Sequence, residues 1–184
     1  MIATADTLAL ATGRWACLLP LTEARFAVHN FGVGTVRGRI PVREASFEVD
    51  TAGEPVRLHA ALDLTGIDTG NSRRDRDLRS PRLLDTERYP ALAFDGGPAR
   101  RSGAHTWQVP GRLTGHGALV ELVLEVTATE QTRDRCTFRA GAELDRRRLG
   151  VTAPAFLIGH RVRVEIDAAF APPARTSSGP DRGA

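Results

Sequence analysis

Apolar and polar residues alternate along this chain with a dominant period of two, the signature of half-buried strands, rather than the helical period of about 3.6. From Arg161 to Phe170, Val162, Val164, Ile166, Ala168 and Phe170 share one face, and Arg161, Arg163, Glu165 and Asp167 share the other. Between Leu119 and Thr129, Val120, Leu122, Leu124, Val126 and Ala128 line up opposite Glu121 and Glu125. Cys136, Phe138, Ala140, Ala142 and Leu144 alternate with Arg135, Arg139, Glu143 and Asp145, and Trp107, Val109, Gly111 and Leu113 with Gln108 and Arg112. In the earlier half Phe26 and Val28 alternate in a long first strand. Val36, Gly38, Ile40 and Val42 follow, and the phase then slips by one residue to Ala45, Phe47 and Val49. That slip near Arg43-Glu44 predicts a bulge or a sharp bend in a long, curved strand. Val56, Leu58, Ala60, Leu62 and Leu64 make the next strand, and Leu92 with Phe94 starts another.

Short connections at Ser102-Gly103, Gly115-His116-Gly117 and Gln131-Thr132-Arg133 join four consecutive strands as a meander of hairpins. About eight strands with one apolar face each must stack as two sheets or curl into one antiparallel barrel. Closure removes exposed edges, and eight strands enclose a space just wide enough for side chains or one small ligand.

Between Ile67 and Pro90 the alternation stops. Ser72 followed by Asp75 resembles a capping box, which predicts a short helix to about Arg79. Ser80-Pro81 then predicts a second helical turn, ended by Pro90. This insertion is expected to lie across one end of the barrel. The sequence thus divides into a leader over 1–12, a barrel domain over 13–171, and a tail over 172–184. The tail's Pro, Ser and Gly content predicts disorder.

At 184 residues the chain reads as one domain with enough bulk for a real core. No stretch approaches the roughly 18 apolar residues that span a bilayer, which excludes an integral membrane segment. The opening residues carry no basic region ahead of their short apolar run. With only Cys17 and Cys136, this points to a cytoplasmic protein with reduced thiols. The basic residues are all arginine, yet the formal net charge is only +3. An excess that small predicts no nucleic-acid partner, since such binding favours a clustered basic stripe.

No catalytic constellation emerges. The five histidines, at 29, 59, 105, 116 and 160, show no metal-ligand spacing, and the turn residues His116 and His160 read as solvated. A GxSxG elbow is absent, Gly32-Val33-Gly34 opens no helix, and the cysteines read as small apolar fillers. No metal, cofactor or enzymatic activity is expected. One cluster stands out: Arg73, Arg74, Arg76, Arg79 and Arg82, interrupted by Asp75 and Asp77. It either fastens the insertion to the barrel rim through ion pairs or presents Arg74 and Arg79 to an anionic head group at the barrel mouth.

The insertion carries a longer pattern. Ile67-Asp-Thr-Gly-Asn71, Arg74-Asp75, Leu78-Arg79-Ser80, Asp85 and Tyr89-Pro90 resemble the signature of the YceI-like, polyisoprenoid-binding proteins. Phe26 to Gly32 with Val36-Arg-Gly38, Gly111 to Gly117, and Asp145-Arg146 with Leu149-Gly150 are similar to flanking segments of that family. The chain departs from it at Asn30 and Asp77, where the family usually or often has His, and at Leu83-Leu84, where it has an aromatic pair. The segment after Gly150 is also shorter. The resemblance implies an all-β fold, an eight-stranded antiparallel lipocalin-like barrel with a short helical insertion across one end. It also implies a long isoprenoid or related lipid held in an apolar tunnel, and frequent pairing as homodimers.

Two functions follow. The first is a barrel that binds a long-chain apolar lipid, such as a polyisoprenoid, an isoprenoid quinone or a fatty-acid derivative, as carrier, store or sensor. Its wall would comprise Phe26, Val28, Ile40, Phe47, Leu62, Leu64, Phe94, Val109, Leu124, Phe138 and Val164. Small inward residues Gly38, Ala60, Gly111, Ala140 and Ala142 would leave room for the chain. The second is a packed barrel without ligand, serving as a stress-associated interaction module. Periodicity alone favours a solid core; the resemblance favours a hollow one.

Overall fold

A computed structural model of the chain describes residues 8–30, 34–153 and 159–174. Its strands are β1 (Gly13–Cys17), β2 (Glu23–Asn30), β3 (Gly34–Ile40), β4 (Val42–Val49), β5 (Pro55–Asp63), β6 (Ala91–Gly96), β7 (Arg100–Gly103), β8 (Thr106–Gly115), β9 (Ala118–Gln131), β10 (Cys136–Asp145) and β11 (Arg161–Ala171). One helix, α1 (Ser72–Arg79), lies between β5 and β6. β1 and β2 are halves of one run, interrupted by a 3-10 turn at Leu19–Leu21, and β3 and β4 are halves of another, broken at Pro41. Counted so, eight long runs pair antiparallel in the order β1-β4-β5-β6-β8-β9-β10-β11, and β1 closes the ring on β11. Hairpin β2–β3 continues the wall beside β11, and β7 adds only to β8. The expected eight-stranded antiparallel barrel is the architecture observed.

The phase slip has a structural counterpart. Pairing of β4 with β5 shifts register between Val42 and Glu44, one residue past Pro41, which has no N–H to give the ladder. At the β8–β9 hairpin His116 and Gly117 take φ of 49° and 75°, the left-handed pair that a two-residue turn requires. His116 is not simply solvated, as its turn position suggested. Its Nδ1 donates to the Leu149 carbonyl at 3.1 Å, and its ring lies 4.9 Å from that of Tyr89.

The insertion corrects two expectations. The cap of α1 is Asn71, whose side chain accepts from the backbone N–H of Arg73 and Arg74 at 3.1 Å each. Ser72 is already helical. Asp75 closes no capping box; it is buried and accepts from the N–H and hydroxyl of Thr69. The second helical turn is replaced by non-helical turns over residues 81–88. There Leu84 N–H donates back to the Leu78 carbonyl, and Asp85 takes a left-handed φ of 46°. Those two features fold the segment onto α1 instead of continuing a helix.

Three buried clusters organise the interior. Trp15, Phe47, Trp107, Phe138 and Phe170 gather at one end, with Phe47 stacked on Trp15 and edge-on to Phe138 and Phe170. Leu8 and Leu10, ahead of the first strand, pack into this cluster. Aliphatic clusters around Leu62–Leu64 and around Val120 and Leu149 occupy the other end, where Leu78 and Leu84 of the insertion join them. Of the tail, residues 175–184 lie outside the described residues.

Candidate functional site

Several inward-facing residues of β9 and β11 are apolar yet incompletely buried. On β9, Val120 is 1% exposed, whereas Leu122, Leu124, Val126 and Ala128 on the same face are only half-buried. On β11 Val162, Val164 and Ile166 behave likewise, while Ala168 and Phe170 near the aromatic end are buried. Partial exposure of these side chains, which point into a closed barrel, marks space beside them, while Phe26, Leu62, Phe94, Val109 and Phe138 on the other strands are buried.

The hollow consists of two chambers. The larger has a cavity volume of about 180 Å³, many times the roughly 10–15 Å³ that one water needs. Phe26, Val28, Ile40, Leu62, Leu64, Phe94 and Val164 stand on its wall, and Leu78, Leu83 and Leu84 of the insertion close over it. The smaller, of about 90 Å³, lies at the aromatic end and is walled by Phe47, Val109 and Phe138 together with Trp107 and Leu10. Leu124 borders both. All eleven wall residues inferred from the alternation therefore face one chamber or the other.

The small inward residues divide by chemistry. Ala60, Ala140 and Ala142 do line the chambers. Gly38 and Gly111 leave no room for a guest, contrary to expectation, because phenylalanine rings occupy the space. The Phe26 ring covers Gly38, and the Phe94 ring covers Gly111. A missing side chain in the sequence signals space without saying what fills it.

Sequence reasoning quoted Arg146 only within a family-like segment and did not place it on the wall of the larger chamber, where it is the one polar residue among the described residues. It is 5% exposed, and its guanidinium donates to the carbonyls of Gly159, Val151 and Ala153 at 3.0, 2.6 and 2.7 Å. Burial lowers its pKa, but the group stays charged at neutral pH. This fork fastens the return between β10 and β11 at the chamber wall. Alternation could not have revealed it, since the carbonyls converge only in three dimensions.

Arg74 and Arg79 sit on α1 with their guanidinium groups turned to the backbone at the start of the insertion and just ahead of it. Arg74 donates to the Thr69 hydroxyl at 2.8 Å and to the Thr69 carbonyl at 3.0 Å. Arg79 reaches the Thr65 carbonyl at 3.3 Å. Among the described residues neither Asp75 nor Asp77 forms an ion pair with the cluster; the Thr69 hydroxyl instead accepts from Arg74 and donates to Asp75. Carbonyl-bound arginines brace the insertion over the chamber.

No group of three or more metal-ligating side chains occurs among the described residues, and none of their helices is long and apolar enough to cross a membrane. Burial pushes the Cys136 thiol up to about 11, and nearby Glu130 adds to the effect. Cys17 is also raised, chiefly by burial, although the Thr22 hydroxyl opposes the shift. Both cysteines thus stay protonated at neutral pH. Outside the barrel His59 bonds Asp95 at 2.7 Å, with Glu44 3.5 Å from its other nitrogen.

Comparison with known proteins adds a family. The model of the YceI-like domain matches residues 19–170. A UPF0312 protein of Pseudomonas syringae pv. tomato is 24% identical over 135 residues, covering 70% of each chain. Protein YceI of Escherichia coli O157:H7 is 24% identical over 110 residues, covering 59% of this chain and 57% of its own. Among solved structures, BcnA of Burkholderia cenocepacia superposes with a TM-score of 0.75 at 17% identity, covering 83% of this chain and 98% of that one. A polyisoprenoid binding domain from Saccharophagus degradans, implicated in plant cell wall breakdown, gives 0.67 at 14% identity, covering 86% and 98%.

Proposed function

This chain belongs to the YceI-like domain family, and on that premise we propose that its barrel binds one long apolar lipid, a polyisoprenoid or a chain of similar character. The observation that carries the reading is the pair of chambers walled by apolar side chains. Each methylene that leaves water for such a wall gains about 0.8 kcal/mol before ordering costs. A tail of about ten methylenes then gains roughly 8 kcal/mol gross, without polar machinery. The description of the Saccharophagus degradans neighbour as polyisoprenoid-binding agrees with this chemistry.

In this reading the eleven wall residues hold the hydrocarbon, no bond is made or broken, and the protein carries, stores or senses its lipid in the cytoplasm. Exposed Leu119 and Val123 on the outer face of β9 offer apolar surface that a homodimer would cover. Against the alternative of a packed, ligand-free module stand the inward Leu122, Leu124, Val126, Val164 and Ile166, which stay half-buried beside the two chambers.

Uptake of a fluorescent polyene fatty acid tests the proposal. The native protein should enhance its emission saturably, and Leu124→Asp, which sets a carboxylate on the border of both chambers, should abolish the effect while the fold persists. Equal uptake by a folded Leu124→Asp variant contradicts an interior site. No change in lipid retention with Arg74→Ala and Arg79→Ala combined would confine those arginines to bracing the insertion.

A further inference from the structure

The two chambers are stacked along the barrel and meet at one layer. On β5, Leu58 lines only the aromatic chamber and Leu62 only the aliphatic one, while Ala60 between them lines both. On β9, Val126 and Leu122 divide in the same way around Leu124, and on β11, Ala168 and Val164 divide around Ile166. Three strands thus change chamber at one inward position each. Ala60 is the smallest of the three and is half-buried. Its neighbours across the ladder are Ala45 on β4 and Phe94 on β6. On β10 the changeover falls between two further alanines, Ala140 and Ala142.

We infer that the layer of Ala60, Leu124 and Ile166 is a neck that sets the length of hydrocarbon the barrel accepts, with Ala60 as its gauge. The inference rests on the lipid-binding reading above and adds to it a specificity-determining residue. A short chain fits within one chamber and never meets the neck. A longer chain gains further contact only by passing Ala60 into the second chamber. Inward positions Val162 to Phe170 of β11 span about 27 Å of strand, or roughly 20 Å along the axis of a barrel with ordinary tilt. That length suits an extended tail far better than a compact ring system. Moreover, a chain crossing the neck meets only hydrocarbon there, so an oxygenated segment would be left without a hydrogen-bond partner. The ligand class is therefore an unbranched or prenyl chain whose polar group stays at one end.

The test uses the full chain and a graded series of saturated fatty acids, from octanoate to eicosanoate, displacing a fluorescent polyene fatty acid. In the native protein affinity should climb through the series. In Ala60→Phe the longest acids should lose roughly tenfold or more in affinity, while the shortest change little. Should Ala60→Phe not fold, Ala60→Val, which adds only two methyl groups, must show the same selective loss in smaller measure. A folded variant with the native length profile overturns the gauge alone. Native protein that binds no member of the series, nor the probe, overturns the functional reading and the gauge together.

Discussion

The Phe26 ring packs over Gly38, so close that a Cβ at Gly38 would stand 2.5 Å from Phe26 Cε1 and 2.7 Å from the Asp68 carbonyl oxygen. Phe26 and Gly38 are direct partners across β2 and β3. The arrangement holds an aromatic ring at the chamber wall without spending interior space on a second side chain.

Gly38→Ala should therefore drive the ring inward or part the two strands. An overpacked site of this kind loses about 1–3 kcal/mol, read as a lower midpoint in urea unfolding, and lipid uptake should fall with it. An unchanged midpoint would show that the Phe26 ring and the Asp68 backbone both give way without cost.

Arg146→Leu should be among the more damaging single changes in the barrel. It leaves the Gly159, Val151 and Ala153 carbonyls without this donor, at roughly 1–3 kcal/mol for each buried acceptor left unsatisfied. Arg146→Lys should recover only part of the loss, because an ammonium cannot reproduce the planar fork. Equal stability of the Lys and Arg proteins would count against the clamp.

His59 should titrate above its ordinary value near 6.5. The hydrogen bond to Asp95 is the main cause; partial burial opposes it, and Glu44 adds to the rise. With its folded pKa raised, its contribution to stability is fully present below the unfolded value and is lost as pH rises through the folded one. Imidazole proton NMR across that range, on native protein and on Asp95→Asn, measures the shift. A His59 midpoint that Asp95→Asn leaves unmoved would disprove the pairing.

Cys136, with its thiol pushed up to about 11 and no exposed surface, should resist thiol reagents at neutral pH in the native protein and react once the chain is unfolded. Fast labelling of Cys136 in folded protein would mean that the aromatic end opens.

Most of the barrel was legible because its strands have one wet face. Arg161, Arg163 and Glu165 announce which way Val162, Val164 and Ile166 must point, and the same logic exposed the register shift beside Pro41. What escaped was whatever depends on how backbone and side chains converge in three dimensions. Asn71 and Ser72 are both good cap residues, so their order alone could not choose between them. The space over Gly38 and Gly111 is taken by Phe26 and Phe94. Leu8 and Leu10 precede the first strand, in a stretch read only as a leader, yet they pack into the aromatic cluster. Arg146 breaks the rule that walls are apolar, because three carbonyls from the thirteen residues that follow it converge on its guanidinium and make its burial tolerable.

Purified protein, extracted with organic solvent and analysed by mass spectrometry, puts the central claim to the most direct trial. A hydrophobic compound with a long unbroken chain, recovered in roughly one-to-one ratio and lost from Leu124→Asp, is the expected result. Protein purified under the same conditions that releases no such compound and takes up no fatty-acid or prenyl probe would contradict it.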